Sequence, residues 1–172
     1  MRKIFTLLLP AFAAMSFTSS DLKPVDAAES ITFVIKNFGI NTQGEIKGLK
    51  GTIKWDPANP AASVFNVTAD ANTLNTGIEM RDNHLKKEEY FDVEKYPVIS
   101  FASTGVSTGS ITGNLSMKGV TKQISFPFTA KPSGGGYLFE GNFTINRKDF
   151  GIGSGSMSLS NTVIVNLKVQ AK

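Results

Sequence analysis

From residue 30 onward, apolar and polar side chains alternate with a period of two, the mark of strands with one buried face. Residues 30 to 37 set Ile31, Phe33 and Ile35 on one side, with Thr32 and Lys36 on the other. After a turn around Gly39 to Gly44, a second strand carries Leu49, Gly51, Ile53 and Trp55 and ends in the turn residues 56 to 60. Residues 63 to 70 form a third, with Phe65, Val67 and Ala69 aligned. The pattern then breaks. Residues 78 to 90 are dense in charge and rich in helix formers, which predicts one short helical insert. Pro97 restarts the alternation in strands over 98 to 103, 110 to 118 and 120 to 130, the last two joined by a tight hairpin at Lys118-Gly119. Pro127 cannot donate to a strand ladder, so a bulge or frayed rim is expected there. Two final strands, 137 to 146 and 162 to 171, are set off by the glycine-rich loops at 134 to 136 and 151 to 156.

Eight alternating strands without βαβ spacing describe an all-β protein, either a sandwich or a closed barrel. An eight-stranded antiparallel up-and-down barrel is the expectation, because Gly51, Gly113 and Gly141 sit among the inward-facing residues and leave room inside. A solid core, with those glycines serving only the twist, stays open at this point. Strand parity nominates Phe33, Ile35, Trp55, Phe101, Leu115, Phe139, Phe143 and Val165 as the wall of an apolar tunnel. A slip of one residue would turn any strand's set outward.

The chain begins Met1-Arg2-Lys3, continues with an apolar run to Phe17 and then small residues, the pattern of a secretory signal peptide that is too short to span a membrane. Residues 1 to 20 are read as that signal and 21 to 172 as one domain, periplasmic or secreted, without stable membrane insertion. Loss of Arg2 and Lys3 lowers the formal net charge from +4 to +2, and the remaining lysines are dispersed, so no nucleic-acid surface is expected. With no cysteine, disulfides, thiolate catalysis and zinc-thiolate sites are excluded.

Candidate chemistry gathers in the helical insert. His84 is the single histidine and lies near Asp82, but the chain has no Gly-x-Ser-x-Gly elbow, and Gly153-Ser154-Gly155-Ser156 is only a loop of small residues. Glu79, Asp82, His84 and Glu88 make a weak metal set with one nitrogen ligand and read more simply as a solvated helix face. No catalytic residue, metal or cofactor is therefore assigned. Beyond the signal only Arg81 and Arg147 are arginines, and arginine suits two-pronged recognition of carboxylate or phosphate. Each arginine could pair with its local carboxylate, Asp82 or Asp149, or meet the polar head of a ligand whose tail fills the barrel.

The runs Arg81-Asp82-x-His84-Leu85, Phe91-Asp92-Val93, Tyr96-Pro97-x-Ile99-x-Phe101, Gly113-x-Leu115-x-Met117-Lys118-Gly119-Val120-Thr121-Lys122 and Arg147-x-Asp149-Phe150-Gly151 occur in the order in which the YceI-like family carries them. The chain resembles that family over essentially all of its length after the signal. The resemblance implies an extended lipocalin-like barrel with a helix, enclosing an apolar tunnel that binds polyisoprenoids such as isoprenoid phosphates and quinones. By that analogy Arg81, Asp82, His84 and Arg147 become candidates for the rim or head-group site, an isoprenoid lipid becomes the expected partner, and a homodimer stays open. A stress-response or interaction barrel without lipid is the alternative. The chain departs from the pattern at Glu29 and Asn37, where many members carry histidine.

Overall fold

The computed structural model describes residues 20 to 155 and 157 to 172, so the expected signal peptide lies, but for Ser20, outside the described residues. All eight expected strands form, and two more join them. In chain order the strands are β1 (Ser20–Leu22), β2 (Ile31–Asn37), β3 (Ile40–Glu45), β4 (Lys50–Trp55), β5 (Val64–Asp70), β6 (Val98–Ser107), β7 (Ser110–Met117), β8 (Val120–Ser133), β9 (Gly136–Asn146) and β10 (Leu159–Ala171), with one helix, α1 (Glu79–Leu85), between β5 and β6. They make one curled antiparallel sheet in the order β1-β4-β5-β6-β7-β8-β9-β10-β2-β3. β1 was hidden because its three residues adjoin the small-residue stretch read as the end of the signal. β3, read as a turn, has the sequence INTQGE, too polar to alternate. It is held by pairing with β2 from Thr32↔Glu45 to Asn37↔Ile40.

The sheet curls until its edges approach, and short contacts close the seam at both ends. Beyond β1, residues 23 to 25 pair with the end of β10: Lys23 N–H donates to Lys172 O (2.7 Å), Lys172 N–H to Lys23 O (3.0 Å) and Val25 N–H to Gln170 O (2.8 Å). At the opposite end, Glu45 of β3 and Asn75 exchange backbone hydrogen bonds of 2.9 and 3.1 Å.

Pro127 falls where β8 changes neighbour. Residues up to Pro127 pair with β7, and from Phe128 the strand pairs with β9. The widened space is filled from below. After β9 the chain turns through Arg147–Phe150, which buries Arg147 and Phe150, and Gly151 at φ +65° releases it. Phe150 and Ile152 then pack against Leu115, Met117, Ile124 and Ile145.

The helix is shorter than the charged stretch that predicted it. It stops at Leu85, and backbone bonds from Phe91 to Leu85 (3.0 Å) and from Val93 to Lys86 (3.1 Å) fold the following residues back. Tyr90 and Phe91 thereby pack against the Phe150 cluster, and burying these side chains outweighs the local helix preference.

Candidate functional site: an apolar cavity with one polar end

Register defines two ends of the barrel. One carries Trp55, Ser107, Phe128, Tyr137 and Ala171; the other carries Asn37, Asp70, Val98, Met117, Asn146 and Leu159. The first end is closed by a layer of rings. Trp55 lies edge-on to Phe139 (5.7 Å between centroids) and Phe128 (5.8 Å), and Phe65 to Phe139 (5.3 Å). Such edge-to-face contacts suit the ring quadrupole and make the layer dense. Leu22 of β1 and Ala171 of β10 pack into the same cluster.

Between that layer and the opposite end lies a cavity of about 250 Å³ with an almost wholly apolar wall. Of the nominated wall residues, Phe33, Ile35, Phe101, Leu115, Phe139, Phe143 and Val165 line it. Trp55 does not. It belongs to the ring layer beneath, where its indole Nε1 is buried without a hydrogen-bond partner among the described residues. The parity of β4 was read correctly; what parity cannot give is height along the barrel axis, and Trp55 is the last residue of its strand.

The inward glycines act differently from the expectation that they leave space. A Cβ on Gly113 would fall 2.4 Å from Phe101 Cζ, and one on Gly141 3.3 Å from a Phe126 ring carbon. The rings of these cavity-lining phenylalanines thus lie across the glycines. Gly44 does the same for Phe33, its cross-strand partner, whose Cζ would meet the added carbon at 2.3 Å. Gly51 is exposed and takes φ +129°, so it serves the backbone course of β4.

Leu85, Phe91 and Ile152 also line the cavity and were missed. They come from the helix and from irregular segments, where no period marks an inward side.

Most polar lining residues, among them Asn37, Thr42, Thr76, Arg81 and Arg147, stand away from the ring layer, although Glu140 follows Phe139 of that layer. Arg81 donates from Nε to Thr76 Oγ1 (2.6 Å) and from Nη2 to Thr76 O (2.7 Å). Thr76 in turn donates its hydroxyl and its backbone N–H (2.8 Å) to Asp82 Oδ1. Buried Asp82 therefore orients Arg81 through Thr76, with no direct ion pair recorded between them among the described residues. Arg81 Nη1 makes no hydrogen bond among the described residues, and the residue lines the cavity.

Arg147 is only 2 % exposed, and among the described residues no ion pair joins it to Asp149. Its guanidinium donates to four backbone carbonyls: Ile152 (2.7 Å), Ser160 (3.0 Å), Ser154 (3.2 Å) and Leu159 (3.5 Å). It clasps the loop between the short turn after β9 and β10. His84 lies outside the cavity, exposed, with its ring 5.0 Å from that of Tyr90. The departures noted at Glu29 and Asn37 also separate: Asn37 lines the cavity, whereas Glu29 is exposed at φ +63°.

Among the described residues, no group of three or more His, Cys, Asp or Glu side chains is arranged to hold a metal ion. No helix among them is long and apolar enough to cross a membrane.

With this geometry in place, the sequence matches the YceI-like domain over residues 22 to 171. The chain belongs to the YceI-like family. A UPF0312 protein of Pseudomonas savastanoi pv. phaseolicola is 38% identical over 134 residues, covering 71% of this chain and 70% of its own. Among solved structures, BcnA of Burkholderia cenocepacia superposes with a TM-score of 0.76 at 24% identity, over 81% of this chain and 93% of its own. A polyisoprenoid binding domain from Saccharophagus degradans gives 0.71 at 18% identity, over 90% and 99%. These two structural likenesses bear on the fold.

Proposed function

We propose that this YceI-like protein sequesters or carries an isoprenoid-type lipid, a polyprenyl phosphate or a quinone, with the hydrocarbon in the cavity and the polar head toward Arg81. The observation that carries the reading is the asymmetry of the apolar cavity: an aromatic layer closes one end, and Arg81, with most of the polar lining residues, stands toward the other. Burial of apolar ligand surface releases about 25 cal/mol per Å² before the losses of association, so a long hydrocarbon binds through area alone. Arg81, steadied by Thr76 and Asp82, offers charge-assisted bonds to a phosphate or a quinone carbonyl. The polyisoprenoid binding named for the Saccharophagus relative supports the choice of lipid, and the amino-terminal sequence supports an exported, periplasmic or secreted carrier.

Native mass spectrometry of protein purified from its own cell envelope, followed by organic extraction, tests the proposal. A stoichiometric isoprenoid is expected. Phe143→Trp, which enlarges a ring already 4.9 Å from Phe126 and lining the cavity, should reduce isoprenoid binding at least about tenfold while leaving the circular dichroism spectrum unchanged. A wild-type protein that comes out empty and takes up no added isoprenoid would point to a barrel that works without lipid.

A further inference from the structure

The end of the barrel opposite the ring layer carries bulky apolar side chains that the fold does not use. Phe38 is 80 % exposed and Ile40 72 %, both at the turn between β2 and β3, and Met157, in the loop before β10, is fully exposed. Met80, 84 % exposed, stands on α1 beside cavity-lining Arg81. Register puts them at one end: Asn37 pairs with Leu159, and Phe38 N–H donates to Ser158 O (2.8 Å). Asn37 and Leu159, at the bases of the two loops, line the cavity.

Phe38 is also costly where it is. It occupies φ +50° ahead of Gly39 at φ +78°, a two-residue hairpin turn in which asparagine, aspartate or glycine is the stable first choice. A phenylalanine there gains no packing from the fold, and its side chain faces water.

We infer that this rim docks on a phospholipid bilayer, with Phe38, Ile40 and Met157 entering the headgroup and upper acyl region so that the cavity lining at Asn37 and Leu159 faces the lipid. The inference rests on the lipid-carrier reading, and it supplies the route by which such a cargo avoids water. Charge agrees with it. Residues 30 to 44 and 150 to 167 contain no aspartate or glutamate; the charges beside the two loops are Lys36 and the adjacent Lys148 and Asp149, all exposed, so the loops carry a small positive balance. Such loops meet anionic lipid without repulsion. The size of the patch also favours a bilayer over a second copy: it offers a handful of side chains, whereas a stable dimer needs about 800 Å² and roughly 20 to 30 residues on each partner.

The chain has no cysteine, so single cysteines can carry an environment-sensitive dye. In the full purified protein, the dye is placed at Phe38→Cys, at Met157→Cys, and at Ala61→Cys, exposed near the ring-closed end. With vesicles of phosphatidylethanolamine and phosphatidylglycerol, emission at 38 and 157 should shift to shorter wavelength while emission at 61 keeps its aqueous value. Phe38→Asp combined with Met157→Asp should lower the vesicle-bound fraction roughly tenfold. Phe38→Asn should weaken vesicle binding without lowering Tm, which separates docking from folding. Unshifted emission at both rim positions, with no wild-type binding to vesicles, overturns the inference. So does a solution dimer that Phe38→Asp dissociates in a protein that ignores vesicles. Vesicle binding by a wild type that takes up no detergent-dispersed polyprenol upholds the docking surface and rejects the carrier reading. Uptake of polyprenol without vesicle binding does the reverse.

Discussion

Arg147 shows what one side chain does when its charge is spent on carbonyls. Four backbone oxygens from residues 152 to 160 converge on a guanidinium that water does not reach. Arg147→Met would strand several of these acceptors, each costing about 1 to 3 kcal/mol when it is left buried and unpaired. A loss of about 3 kcal/mol or more in urea unfolding is expected, and Arg147→Lys should recover only part of it, because an ammonium lacks the planar fork. Gly113 makes the complementary point about space. Gly113→Ala should cost about 1 to 3 kcal/mol, since the new methyl meets the Phe101 ring and, at 2.6 Å, Ala102 O. The single tryptophan lies in the ring layer, so its fluorescence is a direct readout for both unfolding experiments. Sequence marked both residues and misjudged their roles. A glycine at an inward parity looks like vacant volume until the neighbouring ring is seen lying on it, and an arginine beside an aspartate looks paired until the carbonyls of a distant loop are brought to it.

At the scale of elements, the seam between β3 and the residues after β5 is where titration acts. Lys47, through a hydrogen-bonded ion pair of 2.9 Å, is the leading cause that holds the Glu45 carboxyl below its ordinary range; the Glu29 backbone N–H adds to it. The side chain and backbone N–H of Asn72 lower Asp70. Both carboxylates flank the Glu45–Asn75 exchange. Groups with depressed folded values stabilise above the unfolded carboxylate range, near pH 4, and lose that contribution as pH falls through the folded value. Lys47, raised by the same partner, contributes below its ordinary range and loses it only in strong alkali. Protection of the Glu45, Asn72 and Asn75 amides, relative to their intrinsic exchange at each pH, should therefore fall below about pH 4 before that of Val67 in the core of β5, and stay level between about pH 5 and 10. Uniform loss of protection at all four amides would count against a local seam. The strands themselves were legible because alternation is strongest where one face is buried. β3 escaped because at a sheet edge, with INTQGE for a sequence, pairing rather than burial makes the strand.

For the molecule as a whole, the eight alternating segments sufficed for the barrel and for seven of the eight nominated wall residues, since parity assigns each strand an inward set. The closures were not legible. The ring layer, the Phe150 plug and the folded-back residues after α1 depend on positions along the barrel axis and on irregular backbone, which have no period to read. Nor did the pattern show that residues 23 to 25, read as linker, would seal the sheet against the last strand. That seal has a consequence in time. The segment that completes the barrel is separated by almost the whole domain from the strand it joins, so the gap closes only after both have been made, and contacts so distant in sequence close slowly. Until then β4 and the last residues of β10, beyond its pairing with β2, present bare edges, each a template for another chain. Folding of this protein is thus a race between an intramolecular zip and edge-to-edge association, and the two or three residues after β1 decide its outcome.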